Sequence, residues 1–194
     1  MRPERLTAFS DGVLAIIITI MVLELRPPAG DQLADLAAIA PTFLSYVLSF
    51  LYVGIYWNNH HHLLQMADEV DGRILWANTH LLFWMSLIPV ATAWLGQHPG
   101  AVAPNVVYGL SLLAPAVAYY LLQQALIRRQ GRDGPLARAL GRDLKGKASP
   151  LLYLTGMAVS VLSTTAAQVV YVAVALMWLV PDRRIERHLD TPSA

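Results

Sequence analysis

Apolar residues recur along this chain in long runs separated by short polar breaks. The first run covers 6–25 and stops at Arg26-Pro27-Pro28. A second covers 41–64 and closes in His60-His61-His62, a third 74–95, and a fourth 102–127. Each has the roughly 20 residues that carry a helix across about 30 Å of hydrocarbon. Pro89 and Pro115 fall inside the third and fourth runs. Interior prolines break soluble helices but are tolerated in packed membrane bundles. The pattern predicts an all-α integral membrane protein.

The last apolar block, from about Pro150 to Val180, admits two readings. As one helix it would reach about 45 Å, well beyond one bilayer. Divided near Ser163-Thr164-Thr165 it gives two short helices, 149–163 and 165–181. The distribution of Lys and Arg decides between them. Six spans put 13 of these residues on one side and only Arg26 on the other, whereas five spans divide them 10 to 4. Six transmembrane helices are therefore expected, with both termini cytoplasmic and a basic cytoplasmic loop over 128–147.

Composition agrees. Of 194 residues, 56% are hydrophobic and 14% charged, against roughly a quarter charged in soluble domains. A soluble fold of this length has too little interior for that apolar surface. The first run is too long for an ordinary signal-peptide core, and Pro27 precedes the candidate cleavage residue Ala29, so the helix is expected to be retained. There is no cysteine, which excludes disulfides and thiolate metal sites. The 128–147 stretch carries seven Lys/Arg and two Asp. It reads first as a topology determinant and solvated loop, and second as a surface for anionic lipid headgroups. With no soluble domain beside it, nucleic-acid binding is not expected.

Chemistry is sought where ionisable groups enter the bilayer, since each costs a few kcal/mol there. Asp11 lies five residues inside the first run, in Phe9-Ser10-Asp11-Gly12. Its partners are sought where the second helix ends and the third begins. Trp57 and His61, and likewise Trp76 and His80, are four apart and share faces, with Asn78 between the latter two. Indole, imidazole and amide groups can all donate to a carboxylate. The histidine run offers the alternative of a metal site. Consecutive helical residues point about 100° apart, so His60, His61 and His62 cannot all ligate one ion. They would need His80, Asp68 or Asp71, and an interfacial polar cluster is the preferred reading. On the first helix, Ile20 and Leu23 fall within about 40° of Ile16, with Thr19 about 60° aside. Phe9 and Gly12 continue that stripe, while Asp11 projects about 140° from Ile16. The stripe suits a pore axis and an ordinary packing face equally.

Arg5-x-x-x-Phe9-Ser10-Asp11-Gly12-Val13-x-Ala15-Ile16-x-x-Thr19, running to Leu23-Glu24-Leu25, resembles the first-helix signature of the endosomal and lysosomal potassium channel family (transmembrane protein 175), in its bacterial branch. The resemblance continues through Tyr56-Trp57-x-x-His60-His61, Leu75-Trp76-x-Asn78 and Leu87-Ile88-Pro89-x-x-Thr92-x-x-Leu95-Gly96. It implies six helices per chain and a homotetramer whose first helices line the pore of a modestly selective potassium channel in the cell membrane. The family's isoleucine constriction maps to Ile16 and its pore threonine to Thr19, with Ile20 and Leu23 as further apolar rings. Arg5, Phe9, Ser10, Asp11, Trp57, His61 and Asn78 would form the structural network behind the pore. Potassium is the implied permeant ion; no cofactor and no enzymatic activity are implied. Two rival classes are a membrane metalloenzyme built on His60–His62 and His80, and a small secondary transporter. The transporter would need inverted repeats, and the Phe-Ser-Asp signature has no second copy.

Overall fold

A computed structural model describes residues 3–131, 133–141 and 143–179. Among these, eight α-helices and one 3₁₀ segment make up the regular structure: α1 Pro3–Leu23, the 3₁₀ segment Leu33–Ile39, α2 Ala40–Gln65, α3 Gly72–Ser86, α4 Ile88–Gln97, α5 Val102–Gln130, α6 Pro135–Leu140, α7 Leu144–Val159 and α8 Thr164–Leu179. Four helical stretches are long and apolar enough to span a membrane: Pro3–Leu23, Leu33–Gln65, Gly72–Gln97 and Val102–Gln130.

The third of these is two helices end to end. Pro89 has no N–H to donate to the carbonyl four residues back, and its ring crowds that carbonyl. The helix accordingly breaks at Leu87, and Pro89 sits in the first turn of α4, where the missing donor is harmless. Pro115, in contrast, lies inside the unbroken α5. Asp71 starts α3 by accepting from the backbone N–H groups of Arg73 and Ile74 at 2.9 and 3.0 Å.

A turn at Ser160–Ser163 divides the last apolar block into α7 and α8. At 16 residues each, both measure about 24 Å. The 128–147 stretch departs from the expected loop. Arg128 and Arg129 end α5, Arg138 lies in α6, and Lys145 and Lys147 lie in the first turns of α7. The reason is a cap: the Asp143 carboxylate accepts from Gly146 N–H at 3.0 Å and starts α7 five residues before position 149. Arg132, Arg142, the expected end of the last span at 181, and Arg183, Arg184 and Arg187 lie outside the described residues.

Two apolar clusters hold the bundle. The first joins Leu6, Leu14, Ile17 and Met21 of α1 to residues of α2, α3 and α5, including Leu63, Ile74, Leu81 and Leu122. The second joins Tyr52, Leu95, Tyr108, Tyr153 and Tyr171 of α2, α4, α5, α7 and α8. Lipid tails are as apolar as leucine, so close approach and interhelical hydrogen bonds must supply what the hydrophobic effect does not. The Thr92 hydroxyl lies 2.6 Å from Ser49 Oγ, which is 2.9 Å from the Tyr108 hydroxyl. The Tyr52 hydroxyl donates to the Tyr171 carbonyl at 2.6 Å. At Gly96, a Cβ would fall 2.7 Å from Cα of Thr42; α4 and α2 meet there backbone to backbone.

Candidate functional site

The first helix divides its surface in two. Leu6, Ser10, Leu14, Ile17 and Met21 are buried at steps of three and four residues, one face of a helix. On the other side Phe9, Ile16, Ile20 and Leu23 are exposed, Ile16 at 57% and Leu23 at 77%. Thr19 lies on this exposed side. Its hydroxyl is 3.0 Å from the carbonyls of both Ala15 and Ile16. A hydroxyl that donates back to its own helix leaves its oxygen lone pairs free to meet a cation.

Behind the stripe, α1 is anchored by two sets of hydrogen bonds. In the buried set Ser10 Oγ donates to the Leu6 carbonyl at 2.8 Å and accepts from Asn78 Nδ2 at 3.0 Å. Asn78 Oδ1 lies 2.6 Å from His60 Nε2. These contacts fix the proton positions. With the Ser10 proton on Leu6 and the Asn78 amide donating to Ser10, Asn78 Oδ1 can only accept, so His60 carries its proton on Nε2. Its Nδ1 is then a bare acceptor, and it is buried without a partner among the described residues. In the outer set, Trp57 Nε1 donates to Asp11 Oδ1 at 3.0 Å. Trp57 stacks on His61 with ring centroids 6.1 Å apart, and His61 Nε2 is 2.8 Å from Gln65 Nε2.

The structure brings Ser10 together with Asn78, and Asp11 with Trp57 and His61, all named from the sequence, and adds His60, which the sequence offered only as a metal candidate. His60, not His61, joins α2 to α3. The signal was available: His60 falls seven residues after Val53 and three before Leu63, all three buried, whereas His61 follows exposed Trp57 by four. Arg5 and Phe9, also expected in this network, are exposed, and neither bonds to it among the described residues. Trp76 is exposed as well.

The histidines of the metal reading are engaged elsewhere. His60 is committed to Asn78, His61 to Gln65, and His80 accepts from Trp84 Nε1 at 2.8 Å. Among the described residues no three His, Asp or Glu side chains converge as a metal site would require.

The chain is an all-helical membrane protein whose first helix is anchored on one side and bare and apolar on the other. The profile of the endosomal/lysosomal potassium channel TMEM175 matches residues 5–89. A potassium channel of Chryseobacterium sp. (strain P1-3) is 51% identical over 189 residues, covering 97% of this chain and 98% of that one. A potassium channel of Streptomyces collinus is 34% identical, covering 70% and 72%. The crystal structure of a lysosomal potassium-selective channel TMEM175 homolog from Chamaesiphon minutus superposes with a TM-score of 0.78 at 28% identity, covering 92% of this chain and 96% of that one. The chain belongs to the TMEM175 potassium channel family, a family of ion channels rather than enzymes.

Proposed function

We propose how this potassium channel conducts. Four copies of the chain, each with six spans and both termini cytoplasmic, surround one axis in the cell membrane, and the exposed stripe of α1 faces that axis. The observation that carries this reading is the division of α1: Leu14 is 2% exposed and Ile16, two residues later, 57%. Lipid tails cover such a stripe as well as protein does; the first-helix signature is what argues that a closed oligomer turns it inward instead.

Conduction is passive, down the potassium gradient. Ile16 of each copy meets its counterparts at the constriction, and Ile20 and Leu23 add apolar rings beyond it. Such a constriction closes by dewetting, without a plug. Discrimination then rests on the cost of partly dehydrating the ion against weak ligands. Potassium holds its water less tightly than sodium, and the Thr19 oxygen is the nearest replacement for a lost water. A filter of that kind discriminates modestly. Glu24, exposed just past α1, raises cation concentration at the mouth. Arg128, Arg129, Lys145 and Lys147, gathered where α5 ends and α7 begins, form the surface for anionic headgroups on the cytoplasmic side.

Reconstitution in planar bilayers, with potassium on one side and sodium on the other, tests the reading together with native mass measurement. A tetramer passing potassium in unitary events, with a reversal potential displaced toward potassium, is expected. A monomeric species, or flux without unitary events, would refute it.

A further inference from the structure

Trp76 and His80 share a helical face, and the anchor of α1 uses neither. Both lie on the exposed side of α3. Arg73, Trp76, His80 and Phe83 fall within about 80° of one another around the helix, and about 150° from the buried Ile74, Asn78, Leu81 and Met85. Trp76 is 77% exposed and Phe83 55%, and exposed Leu87 and Val90 continue the apolar surface beyond Phe83.

The polar groups on this face sit at one end of it. The stretch Gly72–Gln97 has 26 residues, about 39 Å as helix against about 30 Å of hydrocarbon. Its first turn therefore reaches the headgroup layer, and that turn carries Arg73 and Trp76. Neither the Arg73 guanidinium nor Trp76 Nε1 has a partner among the described residues. His80 Nε2 accepts from Trp84 Nε1 at 2.8 Å, so the His80 proton lies on Nδ1 and is free to be donated. His80 stands about 6 Å deeper along the helix than Trp76. The nearest carboxylate in sequence, Asp71, is engaged by the backbone N–H groups of Arg73 and Ile74. The face thus offers a cation and two neutral donors in order of depth, then apolar surface.

We propose that this face of α3 holds a phospholipid. Arg73 and Trp76 take its phosphate, His80 Nδ1 donates to a glycerol ester carbonyl below, and an acyl chain runs along Phe83, Leu87 and Val90. The order of groups down the helix is the order of groups in the lipid. Guanidinium and indole are both suited to this boundary, the first as a donor to phosphate oxygens and the second as an apolar ring with a polar edge. An anionic headgroup is favoured, because the face holds donors and no free acceptor for a headgroup amine. The site is separate from the basic surface where α5 ends and α7 begins, and it does not depend on how α1 is used.

The test exploits the absence of cysteine. Ser86→Cys places a single thiol on the exposed surface of α3 near Phe83, where the serine hydroxyl bonds only its own helix. Bimane attached there is quenched by nearby bromine. The labelled full chain is titrated in uncharged detergent with phosphatidylglycerol or diacylglycerol carrying the same brominated chains. Phosphatidylglycerol is expected to quench at about ten-fold lower mole fraction, since it alone brings a phosphate to Arg73. Arg73→Gln and Trp76→Phe, both at exposed positions, should each remove most of that preference and leave the oligomer mass unchanged. Equal quenching by the two lipids, or a preference kept by either variant, overturns the proposal, because the headgroup is then held elsewhere or not at all. So does a smaller oligomer from either variant, or a label that neither lipid reaches; both would mean that a second copy of the chain covers this face.

Discussion

Asn78 and Ser10 join α3 to α1 through a 3.0 Å hydrogen bond between two side chains that are both 0% exposed. Ser10 also bonds its own helix and Asn78 also meets His60, so three helices share one chain of donors. It ties the buried face of α1 to α2 and α3.

Replacing Asn78 with Leu strands two partners at once, Ser10 Oγ as an acceptor and His60 Nε2 as a donor. Unsatisfied buried groups cost about 1–3 kcal/mol, although interhelical bonds in membranes often contribute less. Thermal unfolding in detergent should show a lower midpoint, and size exclusion a smaller or polydisperse species. Asp11→Ala, which frees Trp57 Nε1 at a less enclosed site, should do the same more weakly. A reversed order would mean that the outer pair is the principal anchor.

How much of this was legible in the sequence depends on which interaction decided each feature. The four helical stretches long enough to span a membrane follow from apolar length, a property of the chain alone. The 128–147 stretch was misread because seven basic residues look like solvated loop, while a single capping carboxylate, Asp143, turns Lys145 and Lys147 into helix. In the anchor, Ser10 and Asn78 were found because polar residues within apolar runs need partners. His60 was passed over for His61 because neighbouring histidines have the same chemistry, and only the position of Val53 and Leu63 on the helix tells them apart.

Gly96 offers a test of the packing. Its missing Cβ allows α4 to lie against the Thr42 backbone, and a methyl there would sit 2.7 Å from Thr42 Cα. Backbone cannot rotate aside as a side chain can, so Gly96→Ala forces the helices apart. Overpacking of this kind costs about 1–3 kcal/mol. A lower unfolding midpoint is expected; an unchanged one would show that α2 and α4 are less tightly docked.

Thr19→Val isolates one oxygen. Valine is nearly the same size and keeps the helix, and the hydroxyl's bonds run only to its own backbone, so little stability is at stake. If the oxygen replaces water around potassium, the bi-ionic reversal potential should move toward zero while unitary current persists. An unmoved reversal potential would remove Thr19 from the filter.

Ile16→Asn is the sharpest test, because the same helix provides its control. Ile16 lies bare on one side of α1 and Leu14 packed on the other, about 160° away. Four isoleucines around an axis leave little room for a hydrated ion and disfavour a continuous water column. Four asparagines would wet the gap and offer dipoles, so conductance should rise and sodium should enter more readily. Asn at 16 replaces an exposed side chain and should fold normally. Asn at 14 buries an amide among Leu6, Ile17 and their neighbours and should destabilise the protein by about 2–4 kcal/mol; the channels that survive should select as the unaltered chain does. Unitary recordings at matched protein density separate the two effects, since lost protein lowers the number of events and an altered pore changes their size. Wild-type events from Ile16→Asn, together with enlarged events from Leu14→Asn, would mean that α1 is turned half around and that the exposed stripe is a packing face.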